Sequence, residues 1–166
     1  IMYVFMISCY LLMIISLINI SLCGLMGFYN FTLLGANHAQ FSLFSILIFV
    51  FTETLVMYFF IATGKSIKNI LIKNNNSTAE NLWKEVKYIK NSIFPQIMLT
   101  IMLIGGLYIF YFGYIASNVN NEDLAYKWFS LPFFIVGLLH HIWSLKIKNE
   151  SFKMQINIIS EMSKNI

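Results

Sequence analysis

Four long apolar stretches divide this chain, and ten of its eleven lysines fall on one side of them; there is no arginine. The stretches lie at 3–27, 41–63, 93–116 and 128–145. Each reaches or approaches the roughly 20 residues that cross about 30 Å of hydrocarbon. A bilayer core offers no partner for free backbone N–H and C=O groups, so each stretch is expected to be an α-helix. The expected fold is therefore all-α: a polytopic bundle of four transmembrane helices, with amphipathic helices on the inner surface.

The connections set the expected orientation. The segment 64–91 carries Lys65, Lys68, Lys73, Lys84, Lys87 and Lys90, and the tail carries Lys146, Lys148, Lys153 and Lys164. The other two loops, 28–40 and 117–127, hold only Lys127, beside Glu122 and Asp123. Lysine retention on the inner side puts the middle loop and both termini in the cytoplasm or matrix. A bacterial or mitochondrial inner membrane fits, as does the AT-biased look of a chain whose only strong base is lysine.

Hydrophobic residues make up 58% and charged residues 11%, against about 45–50% and about 25% in soluble proteins. The net charge of +4 is explained by lysines flanking spans. Nucleic acid is excluded as a partner, because no arginine is present for bidentate contacts. Cys9 and Cys23 share the first span and stand about 21 Å apart on a helix, too far to bridge. They are expected as small buried apolar groups. The first apolar run is read as a span, because it continues too long for a cleaved signal and has no small-residue cleavage motif.

Two units are expected, a transmembrane domain at 1–148 and an amphipathic segment at 149–166. In the middle loop, Asn74, Asn75 and Asn76 are a break, and Ser77 to Glu80 reads as a capping box. Leu82, Val86 and Ile89 then give one apolar face to a helix at about 78–91, lying on the inner interface or extending span three inward. Pro95 and Pro132 suit the first turns of spans three and four. In the tail, Phe152, Ile156, Ile159 and Met162 make a stripe that excludes Lys153, Asn157 and Glu161.

Few residues could carry chemistry. Glu53 is deep in span two, about 15 Å from its inner end, where an ionised group costs roughly 2.5–3.5 kcal/mol. It is either a proton-carrying or ligand-contacting carboxylate, or a neutral acid bonded to Thr52, Thr54 or a neighbouring helix. With Lys146 and Lys148 assigned to the tail, no cation shares its depth, which favours the neutral acid. His38 opens span two at the outer face, and His140 and His141 sit in the inner part of span four. A b-type haem needs two histidines at one depth; these could serve a haem b or quinone only with a partner subunit. Gly105, Gly106 and Gly113 suggest a small-residue stripe for helix packing. Tyr108, Tyr111, Tyr114 and Trp128 at one boundary, and Trp83 and Trp143 at the other, fit interfacial belts. No metal-ligand cluster, nucleophile–base set or dinucleotide fingerprint is evident, and the phosphate-loop pattern ending at Gly64-Lys65 fails because position 59 is Phe.

The run Phe59-Phe60-Ile61-Ala62-Thr63-Gly64-Lys65, followed by Ile67-Lys68 and later by Ile93-Phe94-Pro95, resembles a loosely defined family of small four-span bacterial membrane proteins. That family shows an F-x-G-T-G-K stop to its second span and an F-P start to its third; Ala62 stands where a glycine is usual. The likeness covers about two thirds of the chain and implies fold and topology, with no activity attached. The leading functional expectation is a non-catalytic accessory subunit of an energy-transducing, respiratory-type complex, its partners being lipids and other membrane subunits. A haem b or quinone anchor at His38, His140 or His141 is one alternative. A proton or small-solute pathway at Glu53 is the other.

Overall fold

The computed structural model describes residues 2–73, 77–116 and 129–165, and forms four long helices. Helix α1 is Met2–Tyr29 and α2 is His38–Lys73. Helix α3 begins at Ser77 as an α-helix to Thr100 and continues as a π-helix over Ile101–Ile115. Helix α4 is Ser130–Asn165. All four are long and apolar enough to cross a membrane. The asparagine break at 74–76, the side chains of the 77–79 capping box, and the outer loop with Glu122, Asp123, Lys127 and Trp128 lie outside the described residues.

The helices are longer than the spans read from hydropathy. At 36 residues each, α2 and α4 extend about 54 Å, well beyond about 30 Å of hydrocarbon. The surplus lies at the lysine-bearing end. There the expected loop helix is continuous with span three, and the expected tail segment is continuous with span four. The boundary at 148/149 is thus the middle of a helix. Pro95 consequently falls inside α3, where it removes one backbone bond, whereas Pro132 occupies the first turn of α4 as expected.

The amphipathic faces read from the sequence are covered by the chain itself. Leu82, Val86, Ile89 and Ile93 of α3 form one core with Ile67 and Leu71 of α2 and Phe152, Ile158 and Met162 of α4. Ile156 and Ile159 of the expected tail stripe are only half-buried, while Lys153, Asn157 and Glu161 are exposed.

Buried positions recur at alternating intervals of three and four. On α1 these are Cys9, Met13, Ser16, Ile20 and Cys23; on α2, Ser42, Ser45, Phe49, Thr52, Val56 and Phe59. On α4 they are His141, Ser144, Lys148, Ser151, Gln155, Ile158 and Met162. A repeat averaging 3.5 residues keeps one seam facing its neighbours over many turns. On α4 the first five members of that seam are polar.

The turn joining α1 to α2 is fixed locally. Leu33 and Ala36 exchange backbone hydrogen bonds of 3.1 and 2.9 Å, with Leu34 and Gly35 at positive φ between them. Asn37 then caps α2: Gln40 N–H donates to Asn37 Oδ1 at 2.9 Å, and Asn37 N–H to Gln40 Oε1 at 3.0 Å. This is the reciprocal arrangement of a capping box, with Asn and Gln in the two roles.

The wide turns of α3 decide which glycines pack. The Ala116 N–H bonds to Tyr111 O, five residues back, so inward positions recur at four to five residues. Gly105 and Gly113 are buried and Gly106 faces outward. A Cβ on Gly113 would lie 2.3 Å from Ser42 Oγ, and one on Gly105 3.2 Å from Phe49, while Gly106 meets nothing closer than its own helix at 4.0 Å. The expected Gly106–Gly113 stripe is therefore replaced by Gly105 and Gly113 against α2. Gly113→Ala should cost about 1–3 kcal/mol, as overpacking does, and lower the thermal midpoint in detergent. Gly106→Ala should leave the midpoint unchanged or raise it, since alanine is the better helix former.

Candidate functional site

Lys148 of α4 donates to Glu53 Oε1 of α2, and each side chain is 1% exposed. This overturns the expectation that no cation shares the depth of Glu53. It also moves Lys148 from the set of interfacial anchors to the interior of the bundle. Thr52 and Thr54, the expected partners of a neutral Glu53, instead donate to the carbonyls of Ile48 and Val50 on their own helix.

The pair forms because both helices present these residues on their inward seams. On α4, Lys148 belongs to the three–four series that runs from His141 to Gln155. On α2, Glu53 directly follows the seam residue Thr52. Neither charge could remain ionised alone in hydrocarbon at small cost, and each is the other's compensation.

Further polar contacts tie the same helices together. Thr100 Oγ1 donates to Gln96 O at 2.8 Å and lies 3.2 Å from Ser144 Oγ. Gln155 Nε2 donates to Thr63 Oγ1, and the Tyr10 hydroxyl donates to Asn149 Oδ1 at 2.7 Å. Three of the four helices thus reach α4 through a side-chain hydrogen bond. Removal of water makes each such contact more consequential than it is at a surface.

Not every buried polar atom is used. Glu53 Oε2 and both ring nitrogens of His141 make no hydrogen bond, nor do the hydroxyls of Ser16 and Ser45. His141 stands seven residues before Lys148 on the same face of α4. Its ring packs edge-on against Phe49, centroids 5.7 Å apart. The pair thus keeps one carboxylate oxygen without a hydrogen-bond donor.

Buried aromatic rings lie one helical turn to either side of the paired residues along the chain. Phe49 lies one turn before Glu53 on α2, completely buried with Ile20 and Ile104. Phe152 lies one turn after Lys148 on α4, completely buried, with ring centroids 4.9 Å from both Phe59 and Phe60.

The three histidines do not converge. His38, at the opposite end of the bundle from the lysines, has its Nε2 3.8 Å from Cys23 Sγ, and that sulfur is 3.1 Å from Ser42 Oγ. His140 is half-buried beside Trp143, and only His141 enters the bundle interior. Among the described residues no group of three or more His, Cys, Asp or Glu could hold a metal ion. Compared with protein families, with curated proteins and with solved structures, the chain has no match.

Removing one partner should cost far more than removing both. Lys148→Met leaves Glu53 buried and uncompensated and should destabilise the bundle by about 3–5 kcal/mol. Adding Glu53→Leu to that variant should restore most of the loss. Thermal unfolding of the two single variants and the double variant in one detergent measures this, and additive losses would contradict the pairing.

Proposed function

We propose that this protein is a membrane proton carrier, acting alone or inside an energy-transducing assembly, with Glu53 and Lys148 as its proton-exchanging pair. The observation that carries this reading is a charged pair sealed within the hydrocarbon-spanning bundle, with one carboxylate oxygen unused. Ionisable groups are costly at that depth and characteristically belong to ion paths, proton relays or counter-ions.

The transfer within the pair needs no other group, and water reaching the pair when the helices part takes up or supplies the carried proton. A proton that passes from the Lys148 ammonium to the Glu53 carboxylate breaks an N–H bond, forms an O–H bond and leaves two neutral side chains. Coulomb attraction between α2 and α4 then disappears, while a hydrogen bond can persist. Loss of that attraction lowers the cost of parting the helices, and parting them exposes the pair to one side or the other. A buried pair fits a carrier that opens alternately better than a continuous channel.

In sealed vesicles carrying the purified protein, an imposed pH gradient should collapse faster than in empty vesicles. Glu53→Gln should reduce the excess rate to the empty-vesicle level, and Lys148→Gln should reduce it strongly. Flux through Glu53→Gln equal to that of the unaltered protein would sink the reading.

The outward Gly106, with open space beside it, favours a second reading in which the chain is an accessory subunit of a larger complex. Small residues on an outer face permit a partner helix to approach closely. On this reading the gently solubilised protein migrates with a much larger assembly, and Gly106→Leu releases it. Migration as a monomer in every mild detergent would count against it.

A further inference from the structure

We propose that Lys68, Trp83 and Lys87 form a binding site for the headgroup of an anionic phospholipid, in the leaflet at the lysine-bearing end. Lys68 Nζ of α2 lies 5.7 Å from the centroid of the Trp83 ring of α3, and Lys87 Nζ lies 5.5 Å from it. Two ammonium groups from two helices therefore address one indole. The helices touch just beside this place: a Cβ on Gly64 would be 3.6 Å from Val86 Cγ1. Lys68 follows Gly64 by one turn, and Trp83 precedes Val86 by three residues.

The depth suits a headgroup. Lys68 is five residues past Thr63, where the apolar run of α2 stops. That is about 8 Å along the axis, within the polar layer flanking the hydrocarbon. Trp83 is half-buried against the core at its inner edge, the usual posture of an indole at such an interface.

Charge decides the class of lipid. Lys65, Lys68, Lys84, Lys87 and Lys90 are all exposed, and among the described residues none of them is in an ion pair. Glu80 and Glu85 share this part of α3 without reaching a lysine. The uncompensated cations can donate to phosphodiester oxygens, and Lys90, 5.8 Å from the Phe94 ring, extends the patch toward the hydrocarbon. A zwitterionic choline headgroup would place a cation of its own among them.

The test is native mass spectrometry of the full chain in detergent, equilibrated with phosphatidylglycerol and phosphatidylcholine in equal amounts. Phosphatidylglycerol should be retained preferentially. K68Q/K87Q should weaken its retention roughly 25-fold, at roughly five-fold per lysine beside an anionic surface, and K146Q/K153Q on α4 should leave it unchanged. Equal retention of the two lipids, or equal losses in the two double variants, would overturn the site. So would displacement of the lipid by inorganic phosphate at similar concentration, which would mark a site for a free anion. Glu53→Gln should not alter lipid retention, so this outcome is separate from that of the flux experiment.

Discussion

A charge cannot be left alone in hydrocarbon, and the arrangement of the bundle follows from how this chain meets that constraint. Glu53 and Lys148 come from helices α2 and α4, separated by nearly a hundred residues of sequence, and must meet at one depth. Their meeting fixes the axial register of α2 on α4. The Gln155–Thr63 bond, two turns further along α4, and the Phe49–His141 contact, two turns back along it, hold the helices within a turn of the same register. Slippage of one turn would strand the carboxylate among apolar rings, so the pair specifies the alignment even where its net contribution to stability is small.

Apolar packing supplies the remainder of the fold without specifying it so narrowly. Ile20, Phe49 and Ile104 fill one level, and Phe59, Phe60 and Phe152 fill another. Lipid tails and leucine side chains differ little in polarity, so the drive to associate comes from close fit and polar contacts between helices. Close fit is visible where Gly113 admits Ser42 and where Gly24 admits the ring of Phe134. The same wide turns that bring Gly105 and Gly113 inward release Gly106 to the outer surface.

The apolar runs and the lysine bias make the four-span bundle legible in the sequence, since length and composition alone decide whether a helix can cross a membrane. Helix ends were less legible. The stretches 78–91 and 149–166 have amphipathic faces, but hydropathy cannot say whether such a face lies on lipid or continues a span. Here the chain's own helices cover both. Lys148 stands in the polar half of its stripe, which a trace through apolar residues does not reach. His141, Ser144, Lys148, Ser151 and Gln155 keep the three–four interval, and the interval continues into Ile158 and Met162. A polar series in phase with an apolar one marks an inward seam, and that signal was present in the letters. Asn37 and Gln40 likewise spell a capping box, with amides in place of the more familiar Ser and Glu. The pairing of Lys148 with Glu53 in particular was not readable, because only the packed register of α2 on α4 brings them to one level.

Helix α4 has no break between the paired lysine and its last turn, about 25 Å further along the axis. A rod of that kind transmits displacement instead of absorbing it. Any tilt or slide that accompanies separation of α2 from α4 is therefore delivered to the tip of the helix, beyond the lipid. On the proposed reading, an event confined to one proton in the dry interior would acquire a mechanical output in water.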